Sequence, residues 1–127
     1  MMSLEFVLSF IKEIEREFVN KYFIINHKKN SLFLRYGDDK IVIKCDKLDK
    51  FNWVTGLGLA ISNLGLIDKE KAKKHREYFR NKKTRKLNYK KYAYWVVTEY
   101  FNNDLIMINK INEKVKQNEN KLYKIEI

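Results

Sequence analysis

The chain contains no proline, a single cysteine, four glycines and two histidines among its 127 residues. Each shortage excludes something. One cysteine, Cys45, rules out an internal disulfide, which favours a reducing, cytoplasmic setting. Two histidines far apart, His27 and His75, lack the spacing of a metal site, so no metal and no cofactor is expected. No apolar run reaches the roughly 18 residues that would mark a membrane-spanning helix. The opening "MMSLEFVLSFIKEIEREF" lacks positive charge at its start and runs into Glu13, Glu15 and Glu17, so it reads as a helix and not as a signal peptide.

Aromatic residues are plentiful, with 8 Phe, 8 Tyr and 2 Trp, and apolar residues make up 45% of the chain. That composition supports one folded core, and the length suits one domain, 1–127. Leu4, Leu8, Ile11, Ile14 and Phe18 recur at helical spacing, which predicts a helix from Ser3 to about Asn20. "KYFIIN", "SLFLRY" and "KIVIKC" are β-branched or aromatic runs separated by "HKKN" and "GDD", the pattern of a three-stranded antiparallel meander. Cys45, closing the third run, is expected to be a buried, inert thiol. Asp68, Asn88 and Asp104 each stand where a helix would begin, the first two as N-caps. The helix from Asp104 would carry Leu105, Ile108, Ile111 and Val115 as its core stripe, and "YKKYAYWVVTEYF" would stack Tyr92, Val96 and Tyr100 on one side, with Trp95 and Val97 broadening the face. "KLYKIEI" alternates and offers a fourth strand. The reading is an α+β fold: an N-terminal helix, a small antiparallel sheet, then a helical half of three to four helices.

Glycine concentrates in "VTGLGLAISNLGL". A dinucleotide fingerprint needs a strand leading into G-x-G-x-x-G/A, but Ile61 stands in the third position, and no Lys-Ser or Lys-Thr follows as a phosphate-binding loop requires. Gly56, Gly58 and Ala60 therefore read as a smooth helix surface for close packing, and Gly65 as the helix stop. Phe51 and Trp53, just before it, read as core staples. Asp38, Asp39, Asp46 and Asp49 gather around one hairpin and could hold Mg²⁺ for nuclease chemistry, but aspartate is favoured in turns for its own backbone bonds, so the chain is not expected to be an enzyme.

The formal net charge is +11, and its placement is uneven. Between Lys69 and Lys91 stand twelve basic residues against two acidic ones, Glu70 and Glu77, while the rest of the chain holds fifteen against fourteen. A local excess of that size attracts polyanions. The segment interleaves its cations with Tyr78, Phe79, Tyr89, Tyr92, Tyr94 and Trp95, of which Tyr78 and Tyr89 are expected to be exposed and the others core. Lys69, Lys73, Arg76, Arg80 and Lys83 fall three or four apart, predicting one helical stripe, and "RNKKTRK" a basic turn within a helix–turn–helix arrangement. The candidate nucleic-acid-binding residues are Lys73, Lys74, Arg76, Arg80, Lys82, Lys83, Arg85, Lys86, Lys90 and Lys91. DNA or RNA is the expected partner. No membrane is expected, and a homodimer is left open.

Lys44, Cys45, Asp49, Phe51, Gly56 and Leu59-Ala60, in "IKCDKLDKFNWVTGLGLAIS", resemble a segment of small phage and prophage proteins of Gram-positive bacteria. The resemblance covers about 20 residues and carries over no catalytic residue. It implies either a nucleic-acid accessory protein or an inhibitor of host defence, such as an anti-CRISPR protein. The inhibitor would contact a nucleoprotein or protein target or sequester an anionic nucleotide signal, in the host cytoplasm.

Overall fold

A computed structural model describes residues 21–45, 52–117 and 123–127. The expected N-terminal helix, Phe51, Asp46 and Asp49 lie outside these residues. Three strands come first: β1 (Lys21–Asn26), β2 (Ser31–Tyr36) and β3 (Asp39–Lys44). Four helices follow, α1 (Trp53–Asn63), α2 (Lys69–Tyr78), α3 (Tyr89–Tyr100) and α4 (Leu105–Gln117), and then β4 (Tyr123–Glu126). The strands form one antiparallel sheet in the order β3-β2-β1-β4. This is the expected α+β fold, with the alternating C-terminal run supplying the fourth strand.

The two-residue period of the strands divides the sheet into faces. Phe23 pairs with Leu34 on one side and Ile125 on the other, and Ile25 with Leu32, so these five side chains share the inner face and are buried. α1 lies against β2 and β3, and α3 packs along α1. Trp53 stacks on Phe23 with ring centroids 6.0 Å apart, and its Nε1 donates to Asn112 Oδ1 at 3.0 Å, so this tryptophan fastens α1 to both the sheet and α4. Cys45 is half-buried, because it sits just past the end of β3, where its N–H bonds Asn30 O at 2.8 Å.

The glycine-rich helix packs as its sequence suggests. Asn52 caps α1 by accepting from Val54 N. Gly65, at φ +69°, ends it: its N–H reaches Ser62 O, and Leu66 N reaches Ile61 O, both at 3.1 Å. A Cβ placed on Gly58 would lie 2.6 Å from Ala93 Cα and 2.7 Å from Ala93 C. The missing side chain is what lets α3 lie flush against α1, with Leu57, Ala60 and Ile61 filling the space beside it.

In α3, Tyr92, Ala93, Val96 and Val97 are buried, while Tyr100 is half-buried. In α4 the stripe is narrower than expected. Ile111 and Val115 are buried and Ile108 half-buried, but Leu105 is 57% exposed, and its neighbours Ile106 and Met107 in the first turn are exposed too.

Burial pushes the Tyr100 phenol up to about 12, and the neighbouring Tyr36 hydroxyl adds to the rise. The folded state therefore keeps a proton that the unfolded chain starts to release near pH 10. This contribution to stability is complete below pH 10 and is lost as the pH climbs to 12. Tyr100→Phe should flatten that alkaline decline. Urea midpoints of both proteins, at neutral pH and across the alkaline range, check it; parallel declines would exclude Tyr100 as their source.

Candidate nucleic-acid interface

α2 is only ten residues long. Asp68 caps it, accepting from Lys71 N at 2.9 Å, and Phe79 ends it. Arg80 and Lys83, expected on the same helical stripe, lie instead in the loop that follows. The reason is local. Asn81 Oδ1 accepts from Lys83 N at 2.8 Å and from Thr84 N at 3.0 Å, drawing the backbone into a tight turn. Arg85 N bonds Asn81 O, Asn81 N bonds Lys86 O, and Asn88 N bonds Phe79 O, all within 2.9–3.0 Å. Arg80 and Leu87 pair as an antiparallel bridge, and Arg85 takes the left-handed conformation, φ +62°, usually left to glycine. The basic turn is thus a closed β-like loop. α3 then starts at Tyr89, with Asn88 Oδ1 capping Lys91 N at 3.2 Å.

Of the ten candidate cations, eight are exposed, and Arg76 and Arg80 are half-buried. Arg76 is engaged internally: its Nη1 donates to Tyr92 Oη at 3.0 Å, and that hydroxyl lies 2.7 Å from Ser62 Oγ. Arg80 and Arg85 both turn to Glu77, at 3.3 and 2.7 Å. The hydrogen bond from Arg85, followed by the charges of Arg85 and Arg80, holds the Glu77 carboxyl below its ordinary value. Outside the candidate set, Lys71 pairs with Glu99 at 3.3 Å and so ties α2 to α3. Lys69, Lys73, Lys74, Lys82, Lys83, Lys86, Lys90 and Lys91 make no ion pair among the described residues.

These lysines do not form one stripe. Lys69 and Lys73 edge a cleft between α2 and the turn after α1, where Arg76 also stands. Lys86 and Lys91, with Arg80, edge a second cleft of about 610 Å³ between the loop and the start of α3. Lys90 and Lys91 then border a groove of about 450 Å³, which shares Phe79 and Lys91 with that cleft and is completed by Tyr94, Trp95 and Thr98. The second cleft and the groove thus adjoin at Phe79 and Lys91, and their lining is taken together as one face.

Two features of this face were partly hidden in the sequence. Tyr78 and Tyr89 are exposed as expected, at 79% and 58%, but Tyr94, expected in the core, is 55% exposed. Helical spacing from Lys90 and Lys91 was the available signal, since positions three and four apart share a face. Trp95 is half-buried and stacked on His75, ring centroids 3.6 Å apart, which gives His75 a packing role; its Nδ1 lies 2.8 Å from Lys71 O. The second feature is electrostatic. Lys90 and Lys91 stand in the first turn of α3, which contains no acidic residue. The helix dipole disfavours cations there by about 0.3–1 kcal/mol each. Helix stability alone would place acids at these positions.

Asp38 and Asp39 are exposed in and beside the β2–β3 turn. No group of three or more His, Cys, Asp and Glu side chains gathers as a metal site among the described residues. Among them, too, no helix is long and apolar enough to cross a membrane. The chain matches no protein-family model, no curated protein and no solved structure.

Proposed function

We propose that the protein is a non-enzymatic nucleic-acid-binding module that grips the phosphate backbone through the face built by Lys86, Lys90 and Lys91 between the 79–88 loop and α3. The observation that carries this reading is the uncompensated charge: eight lysines of the 69–91 segment have no ion-pair partner among the described residues, while the two acids of the segment stand on α2. Two of those lysines sit against a helix dipole, a placement that costs stability and that a phosphate would offset. Ammonium groups on a fixed helix turn suit phosphate as point charges.

The test is the salt dependence of binding. Affinity for a labelled oligonucleotide, measured by fluorescence anisotropy across a salt series, should fall steeply. Each neutralised phosphate contributes about 0.9 to the log–log slope for a duplex and about 0.7 for a single strand. Three or more contacts therefore give a slope of roughly −2 to −3 or steeper. A flat salt response, or no binding at low salt, removes the reading.

A further inference from the structure

Resting on the nucleic-acid reading above, we infer that this face takes single-stranded nucleic acid in preference to a duplex, with a base seated in the groove against Tyr94 and Trp95. The groove is lined almost wholly by apolar atoms, from Phe79, Tyr94, Trp95, the stem of the lysines and Thr98. Phosphate alone has no use for such a surface. An unpaired base does, because its π-face stacks on an aromatic ring whatever its sequence. Within a duplex that face is covered by its neighbours.

The groove also has the fixed wall that stacking requires. Trp95 is held by the stacked ring of His75, 3.6 Å away and not itself part of the groove lining, and His75 is in turn held at Lys71 O. Tyr94, one residue earlier on α3, stands 55% exposed at the rim. Lys90 and Lys91 border the same groove, within one helical turn of Tyr94, so a strand lying along α3 meets ammonium groups with its phosphates and rings with its bases. Tyr78, exposed at the end of α2, lines the adjoining cleft and adds a second ring beside the loop. Two exposed tyrosines, Tyr78 and Tyr94, beside lysines with no ion pair among the described residues are the composition of a stacking platform and not of a solvated basic helix.

The experiment compares a short oligothymidylate with a duplex of the same length at one salt concentration, for the wild type, Tyr94→Ala and Tyr94→Phe. The wild type should bind the single strand more tightly. Tyr94→Ala should weaken single-strand binding roughly 5- to 150-fold, the range for loss of one stacked base, and leave duplex binding near its wild-type value. Tyr94→Phe keeps the ring and should restore the affinity. Tyr94 is exposed, so the fold should survive, and circular dichroism checks it. Oligothymidylate should also quench wild-type tryptophan fluorescence, because Trp95 lines the groove whereas Trp53 is buried. Tight duplex binding with a Tyr94→Ala variant indistinguishable from wild type overturns the single-strand inference and leaves the phosphate-binding reading intact. Absence of binding to either oligonucleotide at low salt overturns both.

Discussion

Changing Lys86, Lys90 and Lys91 together to glutamate should weaken oligonucleotide binding by about a thousandfold at low salt while making the protein slightly more stable. The first effect follows from counterion release. Three phosphate contacts are lost, each carrying about 0.7–0.9 decades of affinity per decade of salt, and three like charges then face the phosphates. The second follows from position. Lys90 and Lys91 occupy the first turn of α3, and glutamate there complements the dipole by about 0.3–1 kcal/mol per residue. None of the three side chains makes an ion pair among the described residues that the change would break. A variant that binds worse and melts higher separates loss of an interface from loss of the fold, which a simple binding defect cannot do. The matched control reverses Lys69, Lys73 and Lys74, which flank the other cleft or stand beside Glu70 on α2. It should cost no more than about tenfold, through the field alone. Equal losses from the two triple variants would spread the contact over the whole segment. No loss from either would remove the nucleic-acid reading.

Gly58→Ala should destabilise the protein by about 2 kcal/mol, although alanine is the better helix former. Propensity favours the change by about 1 kcal/mol. Against it stands the geometry: the new Cβ would fall 2.6 Å from Ala93 Cα and closer still to Ala93 O. Both are backbone atoms, so no flexible side chain can swing aside, and α1 and α3 must move apart. Overpacking of this kind costs about 1–3 kcal/mol and more where the neighbour is rigid. The helices that must separate carry much of the core, including Leu57, Ala60 and Ile61 on one and Tyr92, Val96 and Val97 on the other. For a domain of this size each kcal/mol is worth about 3–5 °C in Tm, so the melting temperature should drop by about 6–10 °C. A Gly58→Ala protein that melts at or above wild type would show that the two helices part without cost.

Much of the fold was legible because its signals are local. β1 and β2 coincide with their sequence runs, and β3 begins one residue earlier than its run, at Asp39. Asp68 and Asn88 cap α2 and α3 with the side-chain bonds their positions suggest, and Asp104 Oδ1 accepts from Met107 N at 3.1 Å at the start of α4. The helix end at Phe79 was half legible: "RNKKTRK" reads as a turn, which the loop bears out, but the cation spacing carries a helical stripe through it. Lys69, Lys73, Arg76, Arg80 and Lys83 keep helical spacing on both sides of it, and no glycine or proline marks the break. The side chain of Asn81 and the left-handed backbone of Arg85 supply the turn instead. The candidate site was legible as charge and illegible as geometry for the same reason. Counting cations cannot show that Arg80 and Arg85 are taken up by Glu77, that Arg76 is taken up by Tyr92, or that Tyr94 faces water. Those outcomes depend on where the loop folds back.

The order of the sheet bears on biosynthesis. β1 lies between β2, which follows it at once, and β4, whose Glu126 pairs with Tyr22 across the whole helical half. During translation β2 and β3 can complete a meander with β1 early, but the other edge of β1 stays open until all four helices have been made. That edge belongs to "KYFIIN", a short β-prone run with one charge, the kind of segment that recruits strands from other chains. Among the described residues, β4 is what pairs this edge, so the nascent protein passes through a stage in which it lacks that partner strand.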